Sequence, residues 1–143
     1  MLSTHSVHIA FQPEAKVSAL ALSMDGAVAV WAEGDGKLFI AQDSEGILAP
    51  STSWQAPALI RQAILRGTQI FVLDDELGLT CLDLEGSVLW QLEIGAGGFA
   101  LQSLPSQLAV LDGLGRLHLV GYDGTRVQLA EEYNDVLRCA EVG

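Results

Sequence analysis

Basic residues are scarce in this chain. Seven Lys and Arg stand against eighteen Asp and Glu in 143 residues, a formal net charge of −11, and the seven (Lys16, Lys37, Arg61, Arg66, Arg116, Arg126 and Arg138) are scattered. Affinity for nucleic acid comes from clustered cations that release counterions from the phosphates, and an anionic membrane surface attracts the same clusters. Neither partner is expected. Long apolar runs are also missing: the longest is Ala27 to Ala32, far below the roughly 20 residues of a membrane helix. Residues 1–16 have no basic start followed by an unbroken apolar stretch, so neither a secretory nor a transit signal is read and a cytoplasmic location is the expectation. The two cysteines, Cys81 and Cys139, are too few for a disulfide framework and too far apart for a metal-ligand pair, so free buried thiols are expected. Aromatic residues make up only 6%, yet 50% of the chain is hydrophobic. That is ample material for the core of one domain and excludes a disordered tail.

The apolar residues are organised as a repeat. Gln69-Ile70-Phe71-Val72-Leu73-Asp74 matches Gln107-Leu108-Ala109-Val110-Leu111-Asp112 position for position, and Ala27 to Ala32 is read into the same slot. Each copy leads through a short turn ending at Gly36, Gly78 or Gly115 into a second strand: Lys37 to Ala41, Leu79 to Asp83, and Arg116 to Val120. Each second strand then enters another acidic turn, closing at Gly46, Gly86 or Gly124. A period of about 40 residues, with turn signals every 8 to 12 and no helical periodicity, is the pattern of a propeller blade. Blades have four antiparallel strands, and flanking strands are available on both sides of each hairpin. The expected fold is therefore an all-β propeller arc of about three four-stranded antiparallel blades, approximately 17–50, 60–94 and 99–130, with one extra unpaired strand at each end, 7–11 and 136–142.

The segment Leu77 to Trp90, with its Gly78, alternating strand, Leu82-Asp83, turn Gly86 and outer-strand Trp90, resembles the pyrroloquinoline-quinone-like propeller repeat. A WD40-like propeller is the nearest rival, but the chain has no Gly-His or Trp-Asp pair. The resemblance implies that Trp90 docks onto the adjacent blade, with Gly78, Gly86 and Leu82 completing the packing. Pro50 and Gln128 align with Trp90 in the other copies. It does not carry over the quinone chemistry: Cys81 and Cys139 are not the vicinal pair of those dehydrogenases, and the chain is short for such a ring. No cofactor is expected.

The remaining candidates for chemistry have simpler readings. His5 and His8 alternate across a strand and so point to opposite faces. His118 sits on an alternating strand without a nucleophile beside it, which suggests an outward or hydrogen-bonded ring. Gly95-Ala96-Gly97-Gly98 precedes no helix that could aim amides at a phosphate and reads as an inter-blade connection. Asp74, Asp75 and Glu76 lack the alternating spacing of a calcium loop; they form a solvated turn that could meet a basic partner. Trp31, Trp54 and Trp90 are read as packing residues, with Trp54 in the Ser/Pro-flanked stretch beyond the first blade. No catalytic, cofactor or metal residues are assigned.

Closed propellers have roughly four to eight blades, so an arc of three would leave strand edges and apolar faces open. Association through Val7, Ile9 and Phe11 at one end and Val136, Leu137 and Val142 at the other is the expected consequence. The function this implies is that of a non-catalytic protein–protein interaction scaffold or assembly subunit, a homo- or hetero-oligomer completed by a second copy or a partner chain. The alternative is a ligand-binding or catalytic propeller whose axial site forms only in the finished ring.

Overall fold

The computed structural model of the protein describes residues 8–9 and 15–129. They form thirteen strands in three sheets. The first sheet holds β1 (His8–Ile9), β2 (Val17–Leu22), β3 (Val28–Glu33), β4 (Lys37–Ser44) and β5 (Ile47–Gln55). The second holds β6 (Ile60–Arg66), β7 (Gln69–Asp74), β8 (Gly78–Leu82) and β9 (Val88–Glu93). The third holds β10 (Gly98–Ser103), β11 (Gln107–Asp112), β12 (Leu117–Gly121) and β13 (Arg126–Leu129). Within each sheet β2 to β5, β6 to β9 and β10 to β13 follow one another as antiparallel neighbours.

The turns are made by acidic side chains that take over backbone amides the ladder leaves unpaired, a local device that needs no tertiary support. Asp74 Oδ1 accepts from the amides of Glu76 (2.8 Å) and Leu77 (2.7 Å), and Asp112 Oδ1 from those of Leu114 and Arg116 (both 2.9 Å). Asp83 and Asp123 do the same in the outer turns. The first sheet instead closes its outer hairpin through Glu45-Gly46, at φ 56° and 84°. Positive φ at both central residues is the type I′ geometry that matches strand twist.

Register corrects the sequence reading at three places. The first copy of the repeat is Val28–Glu33, one residue later than Ala27 to Ala32, because Glu33 holds the strand-end acidic position of Asp74 and Asp112. Its longer side chain bonds Trp31 Nε1 (2.9 Å) and the Ala15 amide (3.2 Å). The first blade does not stop near residue 50: β5 continues to Gln55, so Trp54 lies on a strand opposite Leu38. Pro50 is accommodated because outer strands tolerate a missing N–H, and a bulge follows it, with Ile40 opposite Thr52 and Ala41 opposite Pro50. The equivalent of Trp90, which faces Cys81, is therefore Thr52 and not Pro50.

The third correction concerns the N-terminal strand, which is not unpaired. His8 and Ile9 run parallel to β5, opposite Ile47 and Leu48, making the first sheet five-stranded. The reason lies in the first outer hairpin, whose strands of 8 and 9 residues outreach the 5 and 6 of the second sheet and offer a free backbone edge. The strand expected at 136–142 lies outside the described residues.

The core sits between the sheets. The middle strand β7 of the second sheet sends alternate side chains to the two neighbouring sheets: Ile70 and Val72 pack with Val30, Leu38 and Ile40 of the first, while Phe71 and Leu73 pack with Leu108 and Val110 of the third. A strand buried on both faces must be apolar at every position, which is why β7 reads as a continuous run.

Candidate functional site

The most specific chemistry lies at the two junctions between sheets. At the second junction the Trp90 indole N–H donates to the Tyr122 carbonyl (3.2 Å), and its ring lies 6.0 Å from Phe71, which in turn lies 5.5 Å from the Tyr122 ring. Gly124 abuts the indole: a Cβ there would stand 2.7 Å from Trp90 Cδ2. At the first junction Gly86 takes the place of Gly124 and meets Thr52 and the Ser53 carbonyl. Leu82 is buried in the core shared by the first two sheets, and Gly78 lies against Ile94 of the connection to the third, 2.5 Å from a would-be Cβ. The Arg66 guanidinium stacks 3.7 Å above the Tyr122 ring, whose hydroxyl donates to the Leu104 carbonyl.

The innermost strands carry one polar clamp. Gln62 of β6 donates through Nε2 to the Leu101 carbonyl (2.6 Å) and accepts the Leu101 amide at Oε1 (2.9 Å), joining β6 to β10 as an extra backbone rung would. Nothing in the sequence marked Gln62 above its polar neighbours Arg61 and Gln102.

The acidic turn is not uniformly solvated. Asp74 is fully buried, with Oδ1 on the turn amides, so only Asp75 and Glu76 are exposed, and Asp75 is paired with Arg61. Asp74 must be removed from any partner surface, because it is buried among the core residues and has no face towards solvent.

Its counterpart Asp112 anchors a larger network, also buried. Oδ2 accepts from Arg116 Nε (2.8 Å) and His118 Nε2 (2.9 Å). His118 Nδ1 faces Arg126 Nη1 (3.4 Å), and Arg126 Nη2 donates to the Glu93 carbonyl of β9 (3.1 Å). Burial pushes the Asp112 carboxyl up, but the bonds from His118, Arg116 and the turn amides outweigh it and hold the group well below the usual carboxylate range. The imidazole is thus committed to junction bonds. The Cys81 thiol, buried in the core between the second and third sheets, is pushed up to about 11 chiefly by burial, with Gln69 as its hydrogen-bond neighbour.

Of the expected association edges, Ile9 lies on β1 opposite Leu48, whereas Val7, Phe11, Val136, Leu137 and Val142 lie outside the described residues. An exposed apolar surface appears elsewhere, on β2: Leu20 is 60% and Leu22 58% exposed, with Val17 and Met24 beside them. The pairing register makes Leu20 the equivalent of Ala63 and Leu101, which are 6% and 3% exposed because the preceding sheet covers them. Below this strip an open cleft of about 480 Å³ is lined by Leu22, Ser23, Met24, Asp25, Leu65 and Arg66.

Comparison with solved structures agrees with this geometry. The crystal structure of BamB from Moraxella catarrhalis superposes with a TM-score of 0.72 at 19% identity, over 84% of this chain and 38% of that one. The Dos1 propeller superposes at 0.65 with 12% identity, over 79% and 33%. The chain folds as a β-propeller arc. It spans little more than a third of BamB's length, but 81% of the computationally designed Ika4 protein, at a TM-score of 0.74, 12% identity and 91% coverage of this chain. No family model and no curated protein matches the sequence. At these identities the likeness is one of fold, and the arc's chemistry is argued from its own residues.

Proposed function

We propose that the arc is a non-catalytic protein–protein interaction scaffold of the cytoplasm, completed by a partner chain or a second copy. The observation that carries this reading is the exposed pair Val17 and Leu20 on the innermost strand of the first blade, at the positions where the second and third blades bury Ile60 and Ala63, and Gly98 and Leu101, against a preceding blade. Exposed apolar surface of this kind is removed from water by association. The non-catalytic reading is supported by how the polar side chains are used: Asp74, Asp83 and Asp123 close turns, Gln62 clamps two strands, and Asp112 and His118 hold a junction. Among propellers, the pyrroloquinoline-quinone-like repeat fits best, on the residues Leu77 to Trp90 and on the seat of Trp90 against Gly124 of the next blade.

Light scattering at micromolar concentration, together with capture of partners from the native source, tests the reading. The wild-type chain is expected in a species heavier than its 15.2 kDa monomer or with a stoichiometric partner, and Leu20→Lys is expected to release it. A monodisperse wild-type monomer with no partner, or assembly unaffected by Leu20→Lys, would refute the proposal.

A further inference from the structure

The Asp112–His118–Arg126 chain uses the imidazole in one protonation state only. Arg126 has donors and no acceptor, so His118 Nδ1 must accept from it, and Nε2 must carry the proton that goes to Asp112 Oδ2. Asp112 is a carboxylate throughout the range in which imidazoles change charge, since the net of its burial and its bonds holds it below the usual carboxylate range. The neutral ring therefore relays Asp112 to the guanidinium, which reaches across to the Glu93 carbonyl and ties β13, the outer strand of the third blade, to β9 of the second.

We propose that His118 is a proton-operated latch on this junction. A second proton on the ring goes to Nδ1 and turns the acceptor into a donor facing Arg126 Nη1, two cationic groups with no lone pair between them. The imidazolium stays on Asp112, and Arg126 is displaced from the ring and from the Glu93 carbonyl. The inner part of the junction, built on Asp112 and the apolar core, is retained while the outer strand loosens. The charged groups around the ring are accounted for. Asp112 on β11 and Arg116 on the following turn are already bonded to each other, Arg126 comes from β13, and β9 presents Glu93. The 94–97 connection and β10 carry no ionisable side chain, and β8 carries only the Cys81 thiol, which burial keeps protonated at these pH values; β7 ends in Asp74, bonded to its own turn amides, and the turn beyond it carries Asp75, paired with Arg61, and the exposed Glu76.

The test is hydrogen exchange resolved by residue, with protection factors corrected for intrinsic rates, at pH 8.0 and at pH 5.5, which stays above the isoelectric point of about 4.4. Protection of the β13 amides should fall about tenfold at the lower pH, the scale of one lost hydrogen bond to a charged group, while that of β11 stays constant. In His118→Gln, whose amide can serve both neighbours without titrating, the pH dependence should disappear. Arg126→Gln changes an exposed residue, so it keeps the test open should His118→Gln fail to fold; it should show low β13 protection at both pH values. Equal protection of β13 at the two pH values, a parallel fall in β11, persistent pH dependence in His118→Gln, or full protection at pH 8.0 in Arg126→Gln would each overturn the latch.

Discussion

Replacing Gly124 with Ala isolates the packing of the second junction from the backbone preference of a turn glycine. Gly124 (φ 90°) and Gly115 (φ 83°) share nearly the same backbone conformation, but a Cβ on Gly115 meets nothing within 4 Å, whereas one on Gly124 stands 2.7 Å from Trp90 Cδ2 and 2.9 Å from Cγ. Gly115→Ala therefore measures the left-handed backbone cost alone, about 1 to 2 kcal/mol. Gly124→Ala adds an overpacking cost of about 1 to 3 kcal/mol, because the indole cannot swing away: its N–H is fixed on the Tyr122 carbonyl and its face packs towards Phe71. Truncating the ring by Trp90→Ala costs about 3 kcal/mol, the low end for buried tryptophans since Trp90 is only partly buried. In the double variant the clash is gone, so the two changes should be non-additive by about 1 to 3 kcal/mol. Urea unfolding followed by far-ultraviolet circular dichroism, which follows the backbone and so still reports when Trp90 is absent, reads the wild type and all four variants. Equal losses in Gly115→Ala and Gly124→Ala, or an additive cycle, would show that Trp90 does not seat on Gly124.

Trp54→Ala should cost nearly as much as Trp90→Ala, because Trp54 packs on the core between the first two blades; a loss within about 0.5 kcal/mol of zero, as for surface substitutions, would contradict that. Gln62→Ala strands the amide and carbonyl of Leu101 together and should cost about 1 to 3 kcal/mol in the same urea assay, whereas Gln102→Ala, on an exposed side chain, should be near neutral. The folded-state pKa of Asp112 lies below its unfolded value of about 3.9, so its contribution is present above that pH and drains away as the pH falls from there through the folded value. Asp112→Asn should therefore be less stable than wild type at pH 7 and lose less of its stability between pH 5 and pH 2; parallel curves of urea midpoint against pH would disprove the linkage. Cys81 should resist iodoacetamide in the native protein and react once it is unfolded, as peptide mass mapping can show, because its thiol is buried and its pKa is raised to about 11. Prompt labelling of native Cys81 would contradict its place in the core.

The repeat of the strands in the second and third blades and the acidic turns between them were legible in the residues alone, because both rest on short-range chemistry. Asp74, Asp83, Asp112 and Asp123 bond amides two to four residues ahead, and strands buried on both faces leave continuous apolar runs such as Ile70 to Leu73. The roughly 40-residue spacing of Gly46, Gly86 and Gly124 followed from the same local rules. The tertiary structure alone decided what depends on residues far apart in the chain. That Glu33 and not Ala32 holds the acidic position follows from the pairing of β3 with β4, and that Pro50 lies inside β5 follows from the tolerance of an outer edge. The seating of His8 and Ile9 beside Ile47 and Leu48 joins segments about 40 residues apart. Asp74 and Asp112 look alike in sequence, yet only Asp112 finds Arg116 and His118, where the second blade has Gly78 and Thr80. The relay from Asp112 through His118 and Arg126 to Glu93 crosses two blades, so its meaning appears only once the sheets have packed. A side chain's hydrogen-bonding capacity is written in its residue type, but its partner is chosen by the fold.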